Sequence, residues 1–388
     1  MGKCIVLVLD GLGIGELPDA SLYNDEGSNT MYKISCAKKL NIKNLLSLGL
    51  GNVSILENVL YDGKVIGSYG KMQEKSAGKD STTGHWEIAG LILDKPFPVF
   101  NSFPDIIINS FIEKTGIEGI LGNYPASGTE IIKKLGDEHY KTKMPIIYTS
   151  ADSVFQIAAS EEVIGLNNLY HLCEVARNEI LVGEYAVARV IARPFVKEGN
   201  SYVRTANRRD FSLKPFNKTM LNYLQDSGIK TYGIGKIDDL FAGYGLDIKL
   251  HTKSNSEGIE TTINLIKDIK SGFIFVNLVD FDMLYGHRND ALGFAEALEY
   301  FDYKLSEIIS SLDEKDLLII TADHGNDPAD ISTDHTREYV PLLVYSKEHK
   351  NPKNLGVRSS FSDIAKTVLE YYNIENKLFG ESFLKYLN

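Results

Sequence analysis

The sequence predicts an α/β protein whose core is a largely parallel sheet covered by helices. Residues 3–9 form a continuous strand-like stretch rich in Val, Ile and Leu, which is typical of a strand buried on both faces. Residues 291–312 place apolar side chains on one helical stripe between two further apolar runs, which is the spacing of a βαβ unit. A closing amphipathic helix is predicted over 361–374, with Ser362 or Asp363 at its start.

Length and composition limit the classes of function. A chain of 388 residues exceeds the usual single-core limit of roughly 250–300, so two domains are expected. The hydrophobic fraction of 43% is that of a globular protein, and the net charge of −11 argues against nucleic acid as a partner. No apolar run approaches the ~20 residues that cross a membrane. Three unpatterned cysteines are typical of reduced thiols, so we expect a cytoplasmic protein. We further expect a monomer that acts on small molecules.

Three apolar runs, "CIVLVLD", "FIFVNLVDFD" and "LLIITADHGND", each lead into an aspartate, and histidines follow the last two. Ligands gather at the carboxyl ends of strands in α/β sheets, so these side chains should meet at one edge. Aspartate and histidine together suit Zn²⁺ or Mn²⁺, and a coincidence of caps or turns at three separate segments is a poor alternative. The predicted ligands, enough for two ions, are Asp10, Asp282, His287, Asp323, His324 and His335. Surface positions are expected for His139, His171, His251 and His349.

A second segment, "EKSAGKDSTTGHWEIAG" at 74–90, predicts a nucleophile. A helix is expected near 81–92 with Ser81 as its N-cap. A hydroxyl there faces the positive end of the helix dipole, and beside a divalent metal it can attack phosphorus. The alternatives are that Ser81 only caps the helix, or that its neighbour Thr82 is the nucleophile. His85 either orients groups near the nucleophile or packs in the core.

The domain boundaries follow from the metal prediction. Prolines at 95–104 break the pattern, and the segment up to about residue 214 has its own character. Because predicted ligands lie in both flanks, the flanks must form one domain. We therefore expect a discontinuous metal-binding catalytic core, 1–97 with 215–388, and an inserted cap domain, 98–214, that contributes to substrate binding.

The motifs "KDSTTGHWE", "NLVDFDMLYGHR", "TADHGNDP" and "TDHTREYVPLL" resemble those of the phosphopentomutases, a branch of the alkaline phosphatase superfamily. The likeness covers nearly the whole chain, including "VLDGLGIGELPDA" and "YTSADSVFQIAA". The Asp-His-Gly core is shared with cofactor-independent phosphoglycerate mutases. The contexts "GHWE" and "DHTREYVPLL" narrow the resemblance to the phosphopentomutases. The chain departs from the family in two places: Ser81 stands where Thr is usual, and Gly11 stands where Ser is frequent.

The resemblance implies an alkaline-phosphatase-like αβα sandwich core with an inserted smaller α+β cap domain. It also implies two divalent ions of the Mn²⁺ type. One ion would be held by Asp10, Asp323, His324 and Ser81, and the other by Asp282, His287 and His335. Sugar hydroxyls would be bound by Ser150 and Asp152, and the distal phosphate by Arg189, Arg204 and Lys236. The nearby Arg208 and Arg209 are expected on a solvated linker.

The implied activity is the interconversion of (deoxy)ribose 1-phosphate and (deoxy)ribose 5-phosphate. It would proceed through a phosphoserine enzyme and a 1,5-bisphosphate intermediate, with a bisphosphorylated sugar as activator. Two rivals from the same superfamily stay open, a metal-dependent phosphohydrolase and a phosphoglycerate mutase. A non-catalytic metal-stabilised binding protein is a further alternative, and it predicts that Ser81 can be replaced without effect.

Overall fold

The strands lie in two separate sheets. A computed structural model describes residues 2–59, 61–150 and 152–387. The strands are, in chain order, β1 (Lys3–Leu9), β2 (Ser68–Met72), β3 (Leu121–Pro125), β4 (Ile146–Thr149), β5 (Val154–Ser160), β6 (Arg189–Glu198), β7 (Ser201–Arg204), β8 (Arg209–Ser212), β9 (Thr231–Ile234), β10 (Ile248–Leu250), β11 (Gly272–Leu278), β12 (Leu317–Thr321), β13 (Val340–Tyr345) and β14 (Asn354–Arg358).

The α-helices pack against these sheets. They are α1 (Thr30–Ala37), α2 (Lys43–Ser47), α3 (Ser81–Ile88), α4 (Asp105–Thr115), α5 (Gly128–Thr142), α6 (Leu166–Val175), α7 (Met220–Asp226), α8 (Ile237–Leu240), α9 (Asn255–Asp268), α10 (Ala291–Ser311) and α11 (Ser362–Tyr371). The chain divides into two compact units, one running up to Pro96 and again from Pro215 onward, the other spanning Phe97–Lys214.

The larger unit is an αβα sandwich, as predicted. Its sheet has the order β10-β9-β11-β1-β12-β13-β2-β14, in which β10, β9, β11, β1 and β12 run parallel and β13 is antiparallel to both of its neighbours. Two groups of helices pack against it, α1, α2, α9 and α10 in one and α3, α7, α8 and α11 in the other. All seven residues of β1 are buried, because the strand pairs on both edges and is covered on both faces. This explains why the stretch at 3–9 is rich in Val, Ile and Leu.

The smaller unit is an α+β domain, also as predicted. Its sheet has the order β3-β4-β5-β6-β7, with β8 paired to β6. Helix α5 packs on a cluster that includes Tyr148 and Phe195, and α4 and α6 pack on another that includes Phe111 and Phe155. The prediction that His139 lies at the surface is wrong. Its side chain is buried, its Nδ1 donates to the carbonyl oxygen of Met144, and its Nε2 accepts from the Ser160 amide.

The predicted helices over 291–312 and 361–374 correspond to α10 and α11, and α11 begins at Ser362. The prediction that Ser81 caps α3 is wrong, since Ser81 is the first helical residue and Asp80 is the cap. The Asp80 carboxylate accepts hydrogen bonds from two backbone amides of the first turn. A single hydroxyl oxygen would satisfy these two amides less well. Within the part of the chain that the structure describes, no helix combines the length and apolar character needed to span a bilayer.

Candidate metal centre

Three adjacent parallel strands deliver the predicted ligands to one edge of the larger sheet. Strand β1 lies between β11 and β12, and all three run in the same direction. Asp10 directly follows β1, and Asp323 comes two residues after the end of β12. A π-helical turn, Phe281–Tyr285, follows β11 and carries Asp282. The carboxyl ends of these strands therefore place three carboxylates from distant parts of the chain together.

The first group of close donor atoms consists of Asp10, Asp323 and His324. His324 Nε2 lies 3.4 Å from Asp10 Oδ1 and 3.4 Å from Asp323 Oδ2. The Ser81 hydroxyl oxygen joins this group at 3.2 Å from the same nitrogen. Tetrahedral ligands about 2.1 Å from one ion lie about 3.4 Å from each other. The distances from His324 Nε2 to the other three donor atoms are thus those expected between ligands of one divalent ion.

The second group consists of Asp282, His335 and, again, His324. His335 Nε2 lies 3.7 Å from Asp282 Oδ1, and the His335 and His324 ring centroids are 4.2 Å apart. His287 is outside the mutually close donor group, although its Nε2 lies 3.1 Å from Asp282 Oδ2. Its Nδ1 donates to the carbonyl oxygen of Thr333, which leaves Nε2 as the nitrogen able to bind a metal.

The hydrogen bonding of the first group fits a bound cation. Asp10 Oδ1 is a buried oxygen without a hydrogen-bond partner in the described residues, whereas buried Asp323 Oδ2 has His85 Nδ1 at 3.0 Å. Leaving a buried carboxylate oxygen unpartnered lowers the free energy of unfolding by about 1–3 kcal/mol or more. In both carboxylates the other oxygen accepts a hydrogen bond, from Asn277 Nδ2 to Asp10 Oδ2 and from the Gly11 amide to Asp323 Oδ1. The remaining oxygens, Asp10 Oδ1 and Asp323 Oδ2, each lie 3.4 Å from His324 Nε2, where a bound ion would neutralise both carboxylates.

Electrostatic strain between the carboxylates also fits a cation. Burial raises the pKa of Asp10, and the charge of Asp323 raises it further. Burial acts in the same direction on Asp323 and Asp282, but neighbouring imidazoles outweigh it. The pKa of Asp323 is lowered mainly by His324, and that of Asp282 is lowered mainly by His335. Positive charge between these groups therefore stabilises their ionised forms.

The imidazoles respond to the same neighbours. Burial lowers the pKa of His335 to about 4, and the positive charge of His324 contributes. Burial acts to lower the pKa of His287, but the Asp282 carboxylate raises it to about 9. For His324 the burial effect is outweighed by Asp323 and Asp10, which hold its pKa well above the ordinary value. Because metals bind neutral imidazole, protons and divalent cations compete for these nitrogen atoms.

The start of α3 is held firmly against this centre. Arg337 was missed by sequence reasoning, yet its buried guanidinium donates to Glu74 Oε2 at 2.7 Å and to the Gly78 carbonyl oxygen at 2.6 Å. Glu87 accepts from the amides of the same segment. These contacts fix the loop that leads into Ser81. The sequence separation of more than 250 residues between Arg337 and Glu74 explains why no local pattern indicated the pair.

The hydroxyls near the helix start have different partners. Ser81 Oγ lies beside His324, and the Ser81 side chain is only 8% exposed. Thr83 Oγ1 donates to Asp80 Oδ2 and is thereby occupied by the helix cap. Thr82 donates its backbone amide to the same carboxylate. The Ser81 hydroxyl therefore lies beside a predicted metal ligand, whereas the Thr83 hydroxyl is bonded to the helix cap.

The predicted substrate-binding residues lie in both units. Lys236 follows β9 in the unit that contains the metal centre. In the inserted unit, Ser150 and Asp152 lie between β4 and β5, Arg189 begins β6, and Arg204 ends β7. Arg189 is 3.6 Å from Asp152 and 3.8 Å from Asp210, so the structure brings together two of the predicted residues.

Comparison with known proteins gives the family. A profile of the metalloenzyme superfamily matches residues 2–376. A phosphopentomutase from Acetivibrio thermocellus is 57% identical over 388 residues, covering 99% of both chains. Another, from Caldanaerobacter subterraneus subsp. tengcongensis, is 56% identical over 386 residues, covering 99% of this chain and 98% of the relative. Among solved structures, a phosphoglycerate mutase from Leishmania mexicana aligns with a TM-score of 0.50 at 12% identity, covering 98% of this chain and 97% of that chain.

The structural similarity to the Leishmania protein, at 12% identity, supports the fold alone. The sequence relatives carry the assignment, because more than half of the residues are identical over nearly the full length of both chains. The chain therefore belongs to the phosphopentomutase family, within the metalloenzyme superfamily.

Proposed function

We propose that this enzyme interconverts ribose 1-phosphate and ribose 5-phosphate, and the corresponding 2-deoxy sugars, with Ser81 as the phosphoryl carrier. The observation that carries the proposal is the position of Ser81 Oγ. It lies 3.2 Å from Nε2 of His324, a member of the first donor group. The names of the close relatives support the same substrate class. A cytoplasmic monomer remains a prediction.

The proposed cycle starts with a phosphoryl group on Ser81 Oγ. The free hydroxyl of a pentose monophosphate attacks this phosphorus, the Ser81 O–P bond breaks, and the hydroxyl proton is transferred so that Ser81 regains its O–H. The product of this half-reaction is a pentose 1,5-bisphosphate. After the bisphosphate reverses its orientation, Ser81 Oγ attacks its other phosphorus, the sugar O–P bond breaks, and the Ser81 proton is transferred to the sugar oxygen as the isomeric monophosphate leaves. A bisphosphorylated sugar loads the serine of any enzyme that has lost its phosphate.

We further propose that two Mn²⁺ ions occupy the centre. The first would be held by Asp10, Asp323, His324 and Ser81, and the second by Asp282, His287 and His335. Two divalent ions would neutralise the charge on the transferring phosphoryl group and stabilise Ser81 Oγ in its ionised form. The chain contributes rigid placement: buried strands carry the aspartates, and the Arg337 and Glu87 contacts fix the approach to α3. The mixed carboxylate and imidazole ligands suit Mn²⁺ as well as Zn²⁺.

We propose that the inserted unit contributes substrate recognition. Ser150 and Asp152 would bind sugar hydroxyls, and the distal phosphate would be bound by Arg189, Arg204 and Lys236. The Arg189 guanidinium is 3.6 Å from Asp152 and 3.8 Å from Asp210. Both separations exceed the length of an N–H···O hydrogen bond, so a phosphate can compete for the guanidinium. Arginine suits this role because its planar fork binds phosphate through two parallel hydrogen bonds.

Replacing Arg189 or Arg204 by alanine should raise the KM for ribose 5-phosphate about 10- to 100-fold, because a hydrogen bond to a charged group contributes about 1.5–3 kcal/mol. The measurement is steady-state kinetics with a coupled assay for ribose 1-phosphate. Arg209→Ala is the control, since the Arg209 guanidinium lies over the rings of Tyr170 and Phe211. An unchanged KM in both variants, or an equal rise in Arg209→Ala, would contradict the proposed phosphate site.

Incubation of the Mn²⁺-loaded, bisphosphate-primed enzyme with ribose 5-phosphate separates the proposed function from its rivals. We expect ribose 1-phosphate to accumulate to equilibrium, with inorganic phosphate at the level of a blank. Release of inorganic phosphate without the isomer would identify a phosphohydrolase. Conversion of 3-phosphoglycerate but not of ribose 5-phosphate would identify a phosphoglycerate mutase.

A further inference from the structure

Asn277 is a polar residue near the carboxyl end of a strand that is otherwise apolar. It lies in β11, every residue of which is buried, and it is 1% exposed. Its side-chain Nδ2 donates to Asp10 Oδ2 at 2.7 Å and lies 3.2 Å from His85 Nε2. Its Oδ1 is buried without a hydrogen-bond partner among the described residues. A purely structural role in this strand would be better served by Leu or Val, because an unpartnered buried oxygen costs about 1–3 kcal/mol.

The contacts of His85 determine its tautomer. His85 Nδ1 lies 2.8 Å from the Ser81 carbonyl oxygen, which can only accept, so this nitrogen carries the proton. The same nitrogen is 3.0 Å from Asp323 Oδ2. His85 Nε2 is then unprotonated and accepts from Asn277 Nδ2. The opposite orientation of the Asn277 amide would point its oxygen at the Asp10 carboxylate, which excludes it.

These contacts join the groups that the proposed chemistry requires. Asn277 links Asp10 to His85, and His85 in turn reaches the backbone of Ser81 and the carboxylate of Asp323. The Asn277 bond occupies Asp10 Oδ2 and leaves Oδ1 directed at His324, 3.4 Å away. One side chain thereby selects which oxygen of Asp10 is presented, and His85 fixes the start of α3 relative to the same centre.

On the basis of the proposed function, we infer that Asn277 and His85 form a positioning pair for the first metal ion and for Ser81. Neither residue is a ligand in this arrangement. Asn277 orients Asp10 through the oxygen that does not face the ion, and neutral His85, protonated on Nδ1, aligns Asp323 and the first residue of α3. Hydrogen-bond partners of metal ligands typically change metal affinity by 10- to 100-fold when they are replaced.

The test is Mn²⁺ binding to the metal-free chain with Asn277→Leu, a change that keeps the number and branching of the side-chain heavy atoms but removes the amide. We expect the affinity of one of the two sites, the one that contains Asp10, to fall about 10- to 100-fold, and the electron paramagnetic resonance signal of free Mn²⁺ measures this loss. Asn222→Leu is the matched control, because Asn222 is also buried in this unit but caps α7 through Thr219. It should lower the melting temperature and leave Mn²⁺ affinity unchanged. Circular dichroism checks that each variant is folded.

A second measurement tests the tautomer of His85 first in the wild-type chain. Nitrogen NMR of the metal-free wild-type chain should show His85 protonated on Nδ1 alone, and Asn277→Leu should shift it toward a mixture of tautomers. Protonation of wild-type His85 on Nε2, or wild-type Mn²⁺ affinity in folded Asn277→Leu, would overturn the positioning pair while leaving the proposed function standing. Absence of Mn²⁺ binding by the wild-type chain would overturn both.

Discussion

Replacing Ser81 by alanine should reduce mutase turnover by on the order of 10⁴-fold or more, because the residue that carries the phosphoryl group is removed. Ser81 is the first residue of α3, and Asp80 rather than Ser81 caps the helix. The fold should therefore survive, with a melting temperature close to that of the wild type. Initial rates of ribose 1-phosphate formation, with and without a bisphosphorylated activator, measure the loss.

Two further variants separate the hydroxyls of this segment. Ser81→Thr keeps a hydroxyl at the same position and should retain substantial turnover, as the resemblance to threonine-bearing relatives implies. Thr82→Ala should remain active, because the contact of Thr82 with the helix cap is made by its backbone amide. Full activity in Ser81→Ala would remove Ser81 from its proposed role. If Thr82→Ala were at the same time inactive, Thr82 would be the nucleophile.

Replacing His324 by alanine should cause the largest loss of metal binding, because His324 belongs to both groups of close donor atoms. Its Nε2 lies within 3.4 Å of Asp10, Asp323 and the Ser81 hydroxyl oxygen. We expect Mn²⁺ affinity to fall by more than about 100-fold, and turnover at saturating substrate by on the order of 10³-fold. Calorimetric titration of the metal-free chain with Mn²⁺ measures the affinity and the number of ions bound.

His171→Ala is the control for the His324 variant, because His171 is an exposed residue of α6. It should bind two Mn²⁺ ions with wild-type affinity. If His324→Ala still binds two ions as tightly as the wild type, the assignment of the two groups is wrong. Titration after chelation and dialysis should also restore activity to the wild-type chain, which checks that the apoprotein is intact.

The sequence predicted the elements that long apolar periodicity specifies. β1 spans the predicted residues, since a strand that is paired on both edges and covered on both faces favours an almost continuous apolar sequence, here from Cys4 to Leu9. The aspartates that follow β1 and β12 were also predictable. Ligands gather at the carboxyl ends of parallel strands, and this rule needs no knowledge of distant contacts. The helix cap was misassigned to Ser81 because Asp80 and Ser81 are both favourable cap residues, and only the backbone geometry distinguishes them.

Residues that act through distant contacts were not predictable in this way. Asn277 stands inside an apolar run, and that anomaly was the one available signal for its bond to Asp10 across the sheet. Arg337 is buried among carbonyl oxygens and Glu74, although arginine in a polar motif is ordinarily exposed. His139 was expected at the surface, but its two ring nitrogens are both satisfied inside the smaller unit. Such pairings depend on tertiary structure that local patterns do not encode.

The central claim is that Ser81 accepts and donates a phosphoryl group during pentose phosphate isomerisation. The most direct test is peptide mass spectrometry of the Mn²⁺-loaded chain after treatment with glucose 1,6-bisphosphate, before and after addition of ribose 5-phosphate. We expect one added phosphoryl group on Ser81 that disappears when ribose 5-phosphate is added and appears in the sugar bisphosphate. A phosphoryl group on Thr82 or Thr83, or none on this peptide while the enzyme turns over, would contradict it.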